Sequence, residues 1–248
     1  MRYFIEFSYD GTLYCGMQSQ PNALSIQEVL ENVLSKKLCQ NIQIVSAGRT
    51  DAGVHAYQMF AHFDTIQFIH NEIINSINSF LPKDISVIKI IPVQDTAHAR
   101  FDAILRTYVY KVSTIKNPFL QNYSYQMYHK KIDIIEMNRA AKLLLDYKDF
   151  TSFSRLHSDN KTNICNVSEA FWEEYEQNLL IFRISADRFL RNMVRALVGT
   201  LLEVGIGKIS VQDFEKIIQK KDRKFAKTSA PARGLYLKNV IYPKEIFV

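Results

Sequence analysis

Cysteine is scarce in this chain: Cys15, Cys39 and Cys165 are the only three among 248 residues, and they lie far apart. They make no C-x-x-C pair, so neither a zinc site nor a disulfide framework is indicated, and a reducing compartment is the expected setting. Also missing are a Walker-type phosphate loop, a dinucleotide fingerprint, an H-E-x-x-H pair and a nucleophile elbow. ATP-dependent, redox and zinc chemistry all lose ground. No apolar run approaches membrane-spanning length. The start, Met1-Arg2-Tyr3-Phe4-Ile5-Glu6-Phe7, reads as a strand and lacks a signal-peptide layout. Short-period repeats and low-complexity tracts are absent too. The expectation is a soluble cytoplasmic protein.

What is present is ordinary in bulk: 47% hydrophobic and 23% charged residues, the balance of a globular protein. The length fits one large domain or two moderate ones with ample core. Lys and Arg number 31 against 25 Asp and Glu, for a net charge of +6 and a pI near 9.1. That excess favours a polyanionic partner such as nucleic acid without requiring one.

Strands and amphipathic helices alternate in both halves. Residues 3–9 alternate in the manner of a half-buried strand, with Tyr3, Ile5, Phe7 and Tyr9 on one face. Ser25-Ile26-Gln27-Glu28 has a capping-box pattern ahead of Ile26, Val29, Leu30, Val33, Leu34 and Leu38 at helical spacing. A second helix is predicted from Glu72 to Leu81, with Ile73, Ile74, Ile77 and Phe80 inward and Pro82 ending it. Strands are predicted at Ile85–Ile91 and around Ala99–Ala103. The second half opens on a strand from Arg106 to Val112. Asp133-Ile134-Ile135-Glu136 then starts a helix, and Val167–Tyr175 with Leu179–Ile184 forms a hairpin. A long helix is expected from about Arg188 to Val204, another from Ser210, and a closing strand over Gly234–Val240. This order implies an α+β or mixed α/β architecture in two related lobes, 1–104 and 105–248.

The densest chemistry lies in Ser46-Ala47-Gly48-Arg49-Thr50-Asp51-Ala52-Gly53-Val54-His55. A carboxylate, a guanidinium and an imidazole share seven residues, with a glycine on each side of the acid. Flanked by β-rich stretches, this reads as a loop presenting Asp51, since glycine permits positive φ and close backbone approach. A hairpin with Arg49 and Asp51 paired at the surface is the plainer alternative. Around Arg188 the apolar residues Leu190, Met193, Val194, Leu197 and Leu201 line one helix side, with Arg188, Arg191 and Arg195 on the other. Those arginines are either a solvated face or a binding cleft with one of them against Asp51; a guanidinium beside a carboxylate favours the charged form. On a strand, Arg106, Tyr108 and Tyr110 share a face. They are core if that face is covered, or a base-stacking platform flanked by cations if it borders a cleft. His98-Ala99-Arg100-Phe101 allows the same two readings. Lys220, Lys221, Arg223, Lys224 and Lys227 form a basic run, either solvated or in contact with phosphate.

Taken together these residues resemble the TruA family of tRNA pseudouridine synthases along nearly the whole chain. The likeness runs through Tyr9-Asp10-Gly11-Thr12 and Ser25-Ile26-Gln27-Glu28, and peaks at Gly48-Arg49-Thr50-Asp51-Ala52-Gly53-Val54-His55. It resumes at His98-Ala99-Arg100-Phe101, Arg106-Thr107-Tyr108, Asp149-Phe150-Thr151-Ser152-Phe153 and Met193-Val194-Arg195 with Gly199, and closes at Lys221-Asp222-Arg223 and Gly234-Leu235-Tyr236-Leu237. Met17 stands where the family usually has tryptophan. The resemblance implies an α+β pseudouridine synthase fold: two pseudosymmetric lobes with mixed, mainly antiparallel sheets, flanked by helices around a central cleft. It implies isomerisation of uridine to pseudouridine in the anticodon stem-loop of tRNA, with no cofactor and no metal, by a homodimer. By the same resemblance Asp51 is the catalytic aspartate, Tyr108 stacks on the extruded base, Arg195 pairs with the aspartate and Arg49 holds the flipped nucleotide's place. Arg100, Arg106, His55 and Arg191 are possible RNA contacts. A catalytically silent RNA-binding protein on the same scaffold is the alternative. A hydrolase would need a partner carboxylate, and Asp10 and Asp64 are the candidates.

Overall fold

A computed structural model describes residues 1–21, 23–70, 72–155 and 161–248. The described elements run β1 (Arg2–Tyr9), α1 (Ile26–Leu38), β2 (Val45–Ser46), β3 (His55–Asp64), α2 (Ile73–Phe80), β4 (Ile85–Val93) and β5 (Leu105–Ser113). They continue as β6 (Tyr125–Gln126), α3 (Ile134–Leu143), β7 (Val167–Glu176), β8 (Leu179–Ala186), α4 (Met193–Gly205), α5 (Val211–Gln219) and β9 (Leu235–Ile241). Strand pairing is mixed but mainly antiparallel, with separate helices, which is the α+β class. The chain divides into two compact units, Met1–Ile104 with Tyr236–Val248, and Leu105–Leu235.

In the first unit the strand order is β4-β1-β3-β9, with β2 on β3. β1 is antiparallel to both neighbours, so Ile5 faces Ala61 on one side and Ile90 on the other. The alternation of β1 predicts one buried face; both faces are buried instead. Phe4, on the face expected to be wet, meets the rings of Phe60, Tyr242 and Phe247 at 6.4, 5.0 and 6.3 Å. Tyr242 and Phe247 belong to the closing segment, which sequence order alone assigns to the second lobe. It is tied to the first unit: Gln94 N donates to Ile246 O at 2.9 Å, and Val248 N donates to Pro92 O at 3.3 Å.

Helix α1 starts where Ser25 Oγ accepts from Glu28 N at 3.2 Å, and buries Ile26, Leu30, Val33, Leu34 and Leu38. Helix α2 buries Ile77, but Phe80 faces outward, contrary to its expected place. The helix ends there, and Leu81, in extended conformation, takes the buried position. Lys37 Nζ sits 3.4 Å from the Phe80 ring centroid. No strand forms at 99–103. His98 N donates to Asp102 Oδ2 at 2.7 Å and Asp102 N to His98 O at 3.0 Å. These local bonds consume the groups that a ladder would use and make a turn.

In the second unit the order is β5-β8-β7, all antiparallel, with β6 parallel to β5. The β7–β8 hairpin closes at Glu176 opposite Leu179, with Asn178 at φ 68°, a left-handed position that asparagine tolerates. Asp133 caps α3 by accepting from Ile135 N and Glu136 N. Ser210 and Asp213 form the reciprocal box at α5. Helix α4 is buried almost all round, through Met193, Val194, Ala196, Leu197 and Leu201 among others. It does not begin near Arg188. Asn192, at φ 65°, leaves the right-handed path, and Met193 is the first helical residue. Arg191 therefore lies in the turn before the helix and Arg188 in the irregular segment ahead of that turn, and only Arg195 of the expected stripe is on the helix.

Candidate active site

The loop carrying Asp51 is fixed by main-chain contacts on three sides. At its entry Ala47 N donates to Phe60 O at 2.7 Å. At its exit Val54 N donates to Asp51 O at 3.2 Å, and Gly53 has φ 75°, the positive value a type II turn needs at its third residue. A strap formed by residues 10–17 closes the third side. Met17 N donates to Thr50 O and Gly53 N to Tyr14 O, both at 3.4 Å. Two strap glycines allow this approach. A Cβ on Gly16, which has φ 109°, would run into the Thr50 carbonyl oxygen, and one on Gly11 into that of Val54.

Side chains brace the same loop. Thr50 is buried, its Oγ1 2.8 Å from Tyr9 OH. Tyr14 OH donates to Asp84 Oδ1 at 2.6 Å; burial first, then that carboxylate, pushes the Tyr14 phenol above its ordinary range. His55 is only 2% exposed, so it is a strut of the loop. Its Nδ1 lies 3.1 Å from Gly11 N and 3.0 Å from Asp10 Oδ1, and its ring stacks on Tyr236 at 4.6 Å. On this frame Arg49 and Ala52 are exposed and Asp51 is half-buried. The arrangement holds one carboxylate at a defined height with a guanidinium two residues before it.

The other expected residues lie in the second unit. Tyr108 lies on β5 opposite Ile184, with the Phe189 ring edge-on at 5.1 Å and 87°. Tyr110, on the same face, is core: it is fully buried, and its OH donates to Pro231 O at 2.7 Å. Burial pushes its phenol far up. Arg106 Nη1 donates to Asp187 O at 2.8 Å. Arg195 Nε donates to Ala230 O at 2.8 Å, and Ala230 N returns a bond to Arg195 O at 2.9 Å. Gly199, one turn on, lets the Thr228 carbonyl approach α4 so closely that a Cβ would collide with it. Asn192 Nδ2 and Arg223 Nη2 both donate to Ser229 Oγ, at 2.7 and 3.1 Å. Asp51, Arg49, His55 and Arg100 thus belong to the first unit, and Arg106, Tyr108, Arg191 and Arg195 to the second.

A family model described as tRNA pseudouridine synthase matches residues 140–243. The tRNA pseudouridine synthase A of Bacteroides fragilis is 53% identical over 248 residues, spanning 99% of this chain and 98% of its own. That of Porphyromonas gingivalis is 49% identical, with 100% and 99% covered. That of Bacillus subtilis is 40% identical, with 98% and 99% covered. The chain belongs to the tRNA pseudouridine synthase A family. It is an isomerase that converts uridine to pseudouridine in tRNA.

For such an enzyme the strap and the Ser229 knot are parts that sequence reasoning missed. Tyr9-Asp10-Gly11-Thr12 is visible as a motif, but nothing local says that Gly11 and Gly16 pack on a loop some forty residues away. Asn192 and Ser229 carry no chemistry-bearing pattern at all. Among the described residues no group of His, Cys, Asp or Glu could hold a metal ion, and no helix is long and apolar enough to cross a membrane.

Proposed function

We propose that Asp51 is the catalytic carboxylate of the isomerisation, acting on the anticodon stem-loop of tRNA. The reaction breaks the bond from ribose to uracil nitrogen, turns the base and rejoins it through carbon, with no net redox change. A carboxylate can serve it as nucleophile at the ribose or as base during glycal formation. The observation that carries this reading is the backbone frame of the loop, which fixes Asp51 within Gly48-Arg49-Thr50-Asp51-Ala52-Gly53-Val54-His55. A paired target must leave its stack at a cost of about a few kcal/mol. Arg49, exposed two residues from the acid, is suited to take the vacated place or its phosphate. In this reading Tyr108 stacks on the extruded uracil, Arg195 brings positive charge to the reacting uridine, and Arg106 and Arg191 contact the RNA backbone. His55 acts through the loop that it braces. The working form is a homodimer in the cytoplasm, as the family resemblance implies.

Substituting Asp51→Asn keeps the shape and removes the reactive carboxylate. Pseudouridine formation, mapped by chemical labelling of treated tRNA, is expected to fall by at least about a thousandfold. tRNA affinity should stay within a few-fold. A variant that modifies tRNA at the normal rate overturns the assignment of Asp51.

A further inference from the structure

The turn 98–102 carries Arg100, one of the RNA contacts expected from the resemblance, but none of the reacting groups, and it is closely braced. Phe101 is 73% exposed there, and a ring of that size forgoes the stabilisation that burial would bring. Its position is nonetheless fixed. The His98 and Phe101 ring centroids lie 4.2 Å apart at 34°. His98 Nδ1 accepts from Arg100 N at 3.1 Å and from Phe101 N at 3.4 Å. His98 in turn meets the buried His62 edge-on at 4.6 Å, and His62 Nδ1 accepts from Ala99 N at 3.1 Å. The exposed ring is thus the tip of a stack rooted in β3. The Arg100 guanidinium carbon is 5.7 Å from the Phe101 ring centroid, so a cation and an aromatic face are presented side by side. The root is shared with the acid loop, because His62 pairs with Val45 in the strand that leads into it.

We propose that Phe101 and Arg100 form a nucleotide-contact site for the tRNA substrate, separate from the reacting groups. The ring stacks on an unpaired base of the anticodon arm and the guanidinium meets the adjoining phosphate. An ordered aromatic beside a cation is the surface that an unstacked base and its backbone require, and the net charge of +6 suits the polyanion. The inference rests on the tRNA reading but not on the role of Asp51.

The test is filter binding of an unmodified tRNA transcript to the full-length chain carrying Asp51→Asn, so that affinity is read without turnover. Adding Phe101→Ala is expected to weaken binding about tenfold with the salt dependence unchanged. Phe101→Trp should bind like the parent, and Phe101→Leu like the alanine variant. Arg100→Gln should reduce the salt slope by about one. Parental affinity in Phe101→Ala overturns the proposal, as does leucine serving as well as tryptophan. So does a Phe101→Ala protein that changes its sedimentation and keeps its tRNA affinity, because the ring would then be covered by a second copy of the chain. Failure of the Asp51 assignment would show in turnover alone and leave these affinities standing.

Discussion

Around Asp51 the loop is fixed first by main-chain bonds, Ala47 N to Phe60 O, Met17 N to Thr50 O and Gly53 N to Tyr14 O, and the strap comes this close because Gly11 and Gly16 have no side chain; Tyr9 and His55 only add to that frame. Around Arg195 the second unit uses side chains for much of the same work, with Asn192, Ser229 and Arg223 knotted beside the Arg195–Ala230 pair. A backbone lock cannot relax by changing a rotamer, so it is stiff and intolerant. A side-chain lock gives gradually, because a neighbour or a water can replace a lost bond. The stiff lock lies under the group proposed to react, where a displacement of about 1 Å can cost a hundredfold in rate. The softer one lies under a group proposed to contribute charge, whose effect falls off less steeply with distance.

The sharpest way to break this contrast is Gly16→Ala. The added methyl meets the Thr50 carbonyl, and φ 109° is a conformation that alanine rarely adopts. A loss of about 2–4 kcal/mol in stability is expected, with a fall of at least about a hundredfold in turnover. Gly48 lies in the acid loop itself, but a Cβ there meets nothing within 4 Å. Gly48→Ala should therefore stay within about 0.5 kcal/mol of the parent. Urea midpoints and single-turnover rates for the pair decide the matter; equal tolerance at both positions would show that the strap does not set the loop.

Acid separates the two units next. Burial, then Arg2 and His98, lower the pKa of His62 from 6.5 to about 4. Its folded pKa lies below the unfolded one, so the stability it lends is present above about pH 6.5 and is lost as pH falls toward 4. Going from pH 7 to pH 5 should cost about 2 kcal/mol, and His62→Asn should remove most of that dependence. In the second unit burial pulls the Asp149 pKa up, but bonds from Thr151 and Lys221 outweigh it and hold the group below its ordinary 3.8. Its contribution is present above about pH 4 and is lost only as pH falls further. Trp172, the single tryptophan, lies in the second unit. The far-UV signal should therefore lose urea resistance at pH 5 before the tryptophan fluorescence does, and coincident loss would count against His62 as the cause.

What could be read in the sequence was what is local. Ser25, Asp133 and Ser210 cap their helices because a cap needs only three or four residues, and the β7–β8 hairpin closes through adjacent strands and one asparagine. Misreadings arose where a distant or single residue overrides the pattern. Asn192 at φ 65° cuts the expected helix and scatters its arginines. Asp102 folds back on His98 where a strand is expected around Ala99–Ala103. Phe4 is buried by Tyr242 and Phe247, more than two hundred residues on, so the second buried face of β1 could not be seen locally. The acid loop stood out because its glycines and its carboxylate are contiguous. The strap that holds it did not, since Gly16 has meaning only against Thr50.

The smallest expected effect tests whether the side-chain lock is as soft as the contrast requires. Ser229→Ala removes one hydroxyl that accepts from both Asn192 and Arg223. Ser229 is half-buried, so water can replace part of what is lost, and the cost should be about 1 kcal/mol. Arg195 keeps its own bond to Ala230 O at 2.8 Å, so turnover should fall only a few-fold and tRNA affinity less. Ser229→Thr retains the acceptor and should restore the rate, which a purely steric role for the serine would not produce. A loss of turnover as deep as that from Gly16→Ala would mean that the segment before β9 is held as rigidly as the acid loop, and the distinction between the two locks would fail.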